Sequence, residues 1–164
     1  RSICAPEGLS RFYVNGFDGK IGASWMTSDD RASEIHDHLS YLNKWWTSLN
    51  IEDSVSVTLI GFSQGVATAA RWLNHGMKVD KVIFASGTLP TEWNQEEPNL
   101  DKRISEIHLI RPIDDEYGSL DVHEKEVDML KQWGHNVTSH KPNGTHKLSA
   151  AVINKILREK NQNL

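Results

Sequence analysis

A layered α/β structure with a largely parallel sheet is what the sequence predicts, and three observations predict it. Short runs rich in β-branched and apolar residues recur at 55–60, 81–85 and 104–110, as strands buried on both faces do, and a further short strand reads at 136–140. Between them lie longer segments whose apolar residues return every three or four positions, the period of a helix with one buried face. Gly, Pro, Asn and Asp mark the junctions. Alternation of this kind calls for helix layers on a parallel sheet, with functional loops beyond the carboxyl ends of the strands. The 164 residues suit one domain spanning 1–164, with enough length for a substantial core.

In chain order, Arg1–Ala5 reads as a short strand halted by Pro6 and the Glu7-Gly8 turn. Phe12-Tyr13-Val14 is too short to assign. Asn15 to Lys20 carries turn chemistry, and a loop then presents Gly22 to Met26. Ser28, Asp29 or Asp30 can cap a helix whose stripe is Ile35, Leu39, Leu42, Trp46 and Leu49. His36 and His38 fall off that stripe and are expected in solvent, with no metal role.

The run from Val55 to Ile60 enters Gly61-Phe62-Ser63-Gln64-Gly65, and an alanine-rich helix leaves it, ending near His75-Gly76. A G-x-S-x-G pattern arises by chance about 0.05 times in a chain this long, so its weight comes from the strand before it and the helix after it. That setting holds a serine on a strained turn with its hydroxyl exposed above the sheet, a nucleophile elbow. Gly61 and Gly65 are expected to be small because a Cβ would press on the neighbouring strand or helix.

Lys81–Ala85 is the next strand and Ser86 to Pro90 its loop. Thr91 to Lys102, polar and proline-punctuated, reads as a surface excursion. Ile104–Ile110 is a strand and Arg111 to Gly118 a loop. A helix follows through Val127, Leu130 and Trp133 to Gly134. Asn136–His140 is the last strand, Pro142-Asn143-Gly144 a turn, and Ser149–Lys160 a final helix with Ile153, Ile156 and Leu157 inward.

Formal net charge is -4 with no block of like charges, so there is no electrostatic footprint for nucleic acid or an anionic membrane. The single cysteine, Cys4, rules out an intrachain disulfide framework and suits a reducing compartment. No apolar run is long enough to span a bilayer, and the first residues lack a signal-peptide plan. A cytoplasmic protein is the expectation. No metal-ligand spacing is present, and no cofactor is expected.

A serine hydroxyl needs a base in contact and a group that orients the base. Of the eight histidines, His75, His108, His123, His135 and His140 fall in or at the ends of predicted elements, where structural roles are usual. His146 lies in the loop before the last helix, at the same sheet edge as Ser63. The orienting acid should come from a strand-end loop between serine and histidine, and Asp114 and Asp115 both qualify. Asp101, in the excursion, and Asp121, at a helix start, fit worse.

The chain resembles the carboxylesterase and acyl-protein-thioesterase branch of the α/β-hydrolase fold. Gly61-Phe62-Ser63-Gln64-Gly65 matches that branch's usual elbow. Ala5-Pro6-Glu7-Gly8, Ser24-Trp25, Ser86-Gly87, Asp115-Glu116-Tyr117 and Gly144-Thr145-His146 resemble its other landmarks. The resemblance implies a three-layer αβα domain and a Ser63, His146, Asp115 triad. It also selects Asp115 over Asp114 and implies short- to medium-chain carboxylic esters or thioesters as small-molecule substrates. Gln64, the residue after the nucleophile, would supply an oxyanion-hole N–H. Trp25 and Leu89, with Trp93 and Tyr117, would rim an acyl pocket.

Two departures stand out. The family's His-Gly loop, which supplies another oxyanion donor, has no counterpart before Cys4; with a chain that begins at Arg1, the expectation is either a domain lacking its N-terminal strands or an oxyanion hole built differently. Arg111-Pro112-Ile113 replaces the small residues common before the family's aspartate. A peptidase of the same chemistry and a non-catalytic binding protein on a hydrolase scaffold are the alternative readings.

Overall fold

The computed structural model describes residues 2–159. They group into two compact units that divide between Val55 and Ser56.

In the first unit, β1 (Ser10–Tyr13) pairs antiparallel with β2 (Ile21–Ser24), Ser10 opposite Ser24 and Tyr13 opposite Ile21. The Asn15 to Lys20 turn closes this hairpin, with Gly16 and Gly19 at φ 67° and 86° and the Val14 N–H on the Lys20 carbonyl at 2.8 Å. The strand expected over 1–5 does not form at residues 2–5, Arg1 lying outside the described residues. Two strands form instead where the sequence offered an unassigned tripeptide and a loop. Phe12, Tyr13 and Ile21 are each about half exposed; β1 is exposed throughout and β2 alternates only between exposed and half-buried positions, so the turn between them sets the pairing.

α1 (Arg31–Ser48) follows, preceded by Asp30 at the N-cap. Thr27 donates its hydroxyl to Glu34 in the first turn at 2.8 Å. His38 was expected in solvent, yet it is fully buried. It lies three residues after Ile35 and four before Leu42, which puts it on the apolar stripe itself. Its Nδ1 lies 3.3 Å from the Trp25 carbonyl, and its ring stands edge-on to Trp25 at 6.2 Å. Trp25 also packs near Tyr41.

The second unit is built on a four-stranded parallel sheet in the order β3 (Thr58–Phe62), β4 (Lys81–Ala85), β5 (Glu106–Ile110), β6 (Val137–His140). β4 is buried along its whole length, which is why Val82-Ile83-Phe84-Ala85 shows no polar alternation. α2 (Gln64–Asn74), α3 (Leu120–Gln132) and α4 (Ala150–Arg158) are the helices. Registered neighbours share a face. Gly61, opposite Phe84, faces α2, and its added Cβ would come 2.8 Å from the Val66 Cα. Ile83, Ala85 and Ile110 pack under Ile153 and Ile156 of α4, with Phe62, Val152 and Leu157 at the margin. The result is three layers, helix on sheet on helix.

Both later helices are capped by serine: Ser119 accepts the Val122 N–H and Ser149 the Val152 N–H. Lys160, expected as the last residue of α4, lies outside the described residues. The excursion after β4 is not wholly a surface feature. It contains a short 3₁₀ turn, Thr91–Asn94, whose Trp93 is 1% exposed, and Glu92 ties the turn to Arg71 of α2 at 2.6 Å.

A polar chain crosses the sheet. Lys81 reaches Glu106 at 2.7 Å, Glu106 reaches His108 Nε2 at 3.2 Å, and His108 Nδ1 lies 3.0 Å from His140 Nε2. Lys81 and Glu106 are register partners on adjacent strands. Burial holds both histidines below their usual pKa, because a charged imidazole there would lose its hydration.

Candidate active site

The site forms where the four strands of the second unit end. β3 stops at Phe62, and the chain reverses into α2 through Ser63, held at φ 52°, ψ -123°. A non-glycine residue in the left-handed region costs about 1–3 kcal/mol and persists only where its surroundings enforce it. Here they do: the Ser63 N–H donates to the Ala85 carbonyl at 3.0 Å, and the Ser63 carbonyl accepts from Val66 at 3.0 Å. Gly61 allows α2 to press on β3. Gly65 does not need its smallness, since a Cβ there would meet nothing within 4 Å among the described residues. The elbow closes on the Gly61 side, and the expected crowding at Gly65 is absent.

After β4, Ser86 is also in the left-handed region, φ 51°, with its N–H on the Ile110 carbonyl at 2.8 Å. Gly87 follows against the elbow. A Cβ there would strike the Ser63 carbonyl oxygen and come within 2.6 Å of Val66 Cβ, so this position has to be glycine.

After β5 the loop turns so that Asp115 points inward and Asp114 outward, buried and exposed respectively. Asp114 spends its N–H on the Gly144 carbonyl at 3.1 Å, which ties this loop to the one bearing His146. His146 is brought to the same point by the loop after β6. Its Nδ1 is 2.9 Å from Asp115 Oδ1 and its Nε2 is 3.0 Å from Ser63 Oγ. Ser63, His146 and Asp115 therefore form one hydrogen-bonded line, with the imidazole between hydroxyl and carboxylate. Asp114, Asp101 and Asp121 are not part of it.

The imidazole is held on several sides. Phe62 and Tyr117 flank the ring, with centroids at 5.1 and 4.6 Å. The backbone N–H of His146 donates to Glu116 at 3.1 Å. Asp115 accepts the Tyr117 N–H on Oδ1 at 3.0 Å and Arg111 Nη1 on Oδ2 at 3.1 Å. Burial alone would raise the Asp115 pKa; the Tyr117 N–H, His146 and Arg111 outweigh it and hold the carboxyl below its usual range.

Solved structures resemble this chain. An esterase, PE8, superimposes with a TM-score of 0.64 at 19% identity, covering 82% of this chain and 67% of the other. Acyl-protein thioesterase 2 of Zea mays gives 0.63 at 17% identity, covering 84% and 71%. MGS-M1, an alpha/beta hydrolase enzyme from a Medee basin deep-sea metagenome library, gives 0.52 at 22% identity, covering 78% and 55%. The chain has the α/β-hydrolase fold. No family model and no curated protein matches it.

Within this hydrolase fold, Gln64 is the first residue of α2, at the end of the helix that carries partial positive charge. Leu89 is 7% exposed, and its N–H donates to Glu126 of α3. Trp93 is buried under the excursion, whereas Tyr117 is 75% exposed beside the imidazole. Trp25 packs within the first unit. Among the described residues, no group of three or more His, Cys, Asp or Glu could hold a metal ion, and no helix is long and apolar enough to cross a membrane.

Sequence reasoning marked Gly87 only as part of the Ser86-Gly87 resemblance, without its contact with the elbow, and missed Arg111 and Glu126 as parts of the site's frame. Arg111 left a trace, an arginine where small residues were expected; Glu126 left none, because its partner Leu89 is distant in sequence.

Proposed function

We propose that the chain is a serine hydrolase that cleaves carboxylic esters or thioesters through an acyl-enzyme. What supports this is the line from Ser63 Oγ through His146 to Asp115, at 3.0 and 2.9 Å. With its proton on Nδ1, His146 presents a lone pair at Nε2 to the serine hydroxyl. Nε2 takes the Ser63 proton as Oγ bonds to the substrate carbonyl carbon. The Gln64 N–H, at the positive end of α2, meets the oxygen as it becomes negative. The C–O or C–S bond then breaks, and the leaving group takes the proton from Nε2. Water, deprotonated by the same nitrogen, attacks the acyl carbon and releases the acid with Ser63 restored. Asp115 keeps the imidazole in the required tautomer and stabilises its charged form. The exposed Tyr117 ring offers an apolar edge beside the reacting atoms.

A fluorophosphonate probe with peptide mass spectrometry tests this directly. The expected result is an adduct on Ser63, absent in Ser63→Ala and His146→Ala, with hydrolysis of p-nitrophenyl and acyl-thioester substrates falling by about 10⁶-fold in Ser63→Ala. Folded wild-type protein that forms no adduct would point to a binding scaffold instead, and cleavage of amides without esters to a peptidase.

A further inference from the structure

Arg111 carries a charge that the proposed chemistry does not consume, and it is 1% exposed. A guanidinium does not shed its charge, so at this depth it needs partners of full or partial negative charge. It has two. Nη1 donates to Asp115 Oδ2 at 3.1 Å and Nη2 to the Gly87 carbonyl at 2.7 Å.

The first contact occupies the carboxylate oxygen that His146 leaves, since His146 Nδ1 lies on Oδ1. The second holds the residue whose backbone lies against the Ser63 carbonyl. Arg111 thus joins the acid to the shelf beneath the nucleophile and touches neither reacting atom. Space is cut for it: a Cβ on Gly118 would come 2.7 Å from Arg111 Cζ.

A carboxylate beside an imidazole draws protons to the pair, and a cation on the carboxylate's far oxygen opposes this whichever site the proton takes. The other ionisable groups around Arg111 are His123 and Glu126 of α3. Around His146 they are Glu116 and Tyr117. Of these, only Arg111 and the Tyr117 backbone N–H, besides His146 itself, hydrogen-bond to Asp115.

We propose that Arg111 is a positioning residue that aims Asp115 at His146 and whose charge opposes uptake of an added proton by the Asp115–His146 pair. The inference rests on Ser63, His146 and Asp115 acting as nucleophile, base and acid.

The experiment measures the rate of fluorophosphonate labelling of Ser63 from about pH 4.5 to about pH 8. The proteins are wild type, Arg111→Met, Arg111→Lys, Gly118→Ala and Glu126→Gln. The ¹⁵N-imidazole titration of His146, followed by NMR, runs beside it and needs no turnover. In Arg111→Met the midpoint of the acid limb, and of the NMR titration, rises by about one pH unit. Arg111→Lys keeps the charge but not the fork, so its midpoint stays within about 0.3 unit of wild type while its plateau rate falls about 10-fold. Gly118→Ala, which displaces the guanidinium without deleting it, raises the midpoint by about half a unit and carries the test if Arg111→Met does not fold. Glu126→Gln leaves the midpoint in place.

A reduced plateau with an unmoved midpoint in Arg111→Met, or in Gly118→Ala should it be the only folded variant, would overturn the proposal. So would a Glu126→Gln shift as large as that of Arg111→Met, which would make Glu126 the titrating group. Wild-type protein unlabelled at every pH would refute the proposed function alone, because the NMR midpoints would still decide whether Arg111 governs the pair.

Discussion

Glu126→Gln should make the protein more stable at alkaline pH while leaving its shape unchanged. Glu126 projects from α3 into the second unit, 9% exposed, and its Oε1 accepts the Leu89 N–H at 2.6 Å. Burial is the largest influence on it and pushes its pKa up from 4.5 to about 7, against the opposing Leu89 hydrogen bond and Arg111. The folded protein therefore holds this proton over a range where the unfolded chain has released it. Stability from this group is fully present below the unfolded value of 4.5 and is lost as pH rises through about 7. A displacement of roughly 2.5 units corresponds to about 3 kcal/mol. Glutamine keeps an oxygen for the Leu89 N–H and never ionises. Its NH₂ adds a pH-independent cost, so the informative quantity is the difference between variant and wild type across pH. Urea unfolding followed by tryptophan fluorescence at a series of pH values should show that difference moving in favour of Glu126→Gln by about 3 kcal/mol between about pH 5 and 8. Parallel stability curves over that range would refute the reasoning.

Other outcomes follow from the same geometry. Asp115→Asn should lower esterase turnover by about 10⁴-fold through loss of the imidazole's orientation, whereas Asp114→Asn, whose side chain is exposed, should change it by less than about 3-fold. The reverse ranking in steady-state assays would make Asp114 the acid. Gly61→Ala should cost about 1–3 kcal/mol in denaturant unfolding because the new Cβ meets the backbone of α2, while Gly65→Ala should be neutral or stabilising by up to about 1 kcal/mol. Equal losses at both glycines would contradict this account of the elbow. Burial holds His108 and His140 below the ordinary imidazole value of 6.5, so the unfolded chain binds the extra protons first. Their contribution is present above 6.5 and lost as pH falls below it. His140→Gln should flatten the fall in stability on acidification, and an unaltered slope would show that the pair does not drive it.

The alternation of strands with helices was legible because strands of a parallel sheet covered by helices keep apolar runs, clearest in the wholly buried β4 and in β5. The elbow was legible too, since glycine, serine and a strand-to-helix change lie within a few residues of one another. Ser63 and His146 were marked as candidates by their positions at strand ends. Local pattern failed where burial depends on distant chain. In the hairpin of β1 and β2 no residue is fully buried, β1 is exposed throughout, and the alternation in β2 is shallow. His38 is polar by composition, but the surroundings of α1 bury it, and Trp93 enters the interior from a stretch whose composition spoke for solvent.

What the sequence by itself determined was the layered α/β class, the order of the second unit's elements and the residue types available for acyl transfer, all of which depend on neighbours within one turn or one strand. Spacing left Asp114 and Asp115 open and only the family resemblance chose between them; the tertiary structure decided that Asp115 faces His146, that Gly87 had to be small and Gly65 did not, and that Arg111 sits behind the carboxylate. Each of those depends on where strand-end loops 24 to 83 residues apart meet. Such meetings are set by the register of parallel strands and the turn geometry after each one, and no local sequence pattern encodes them.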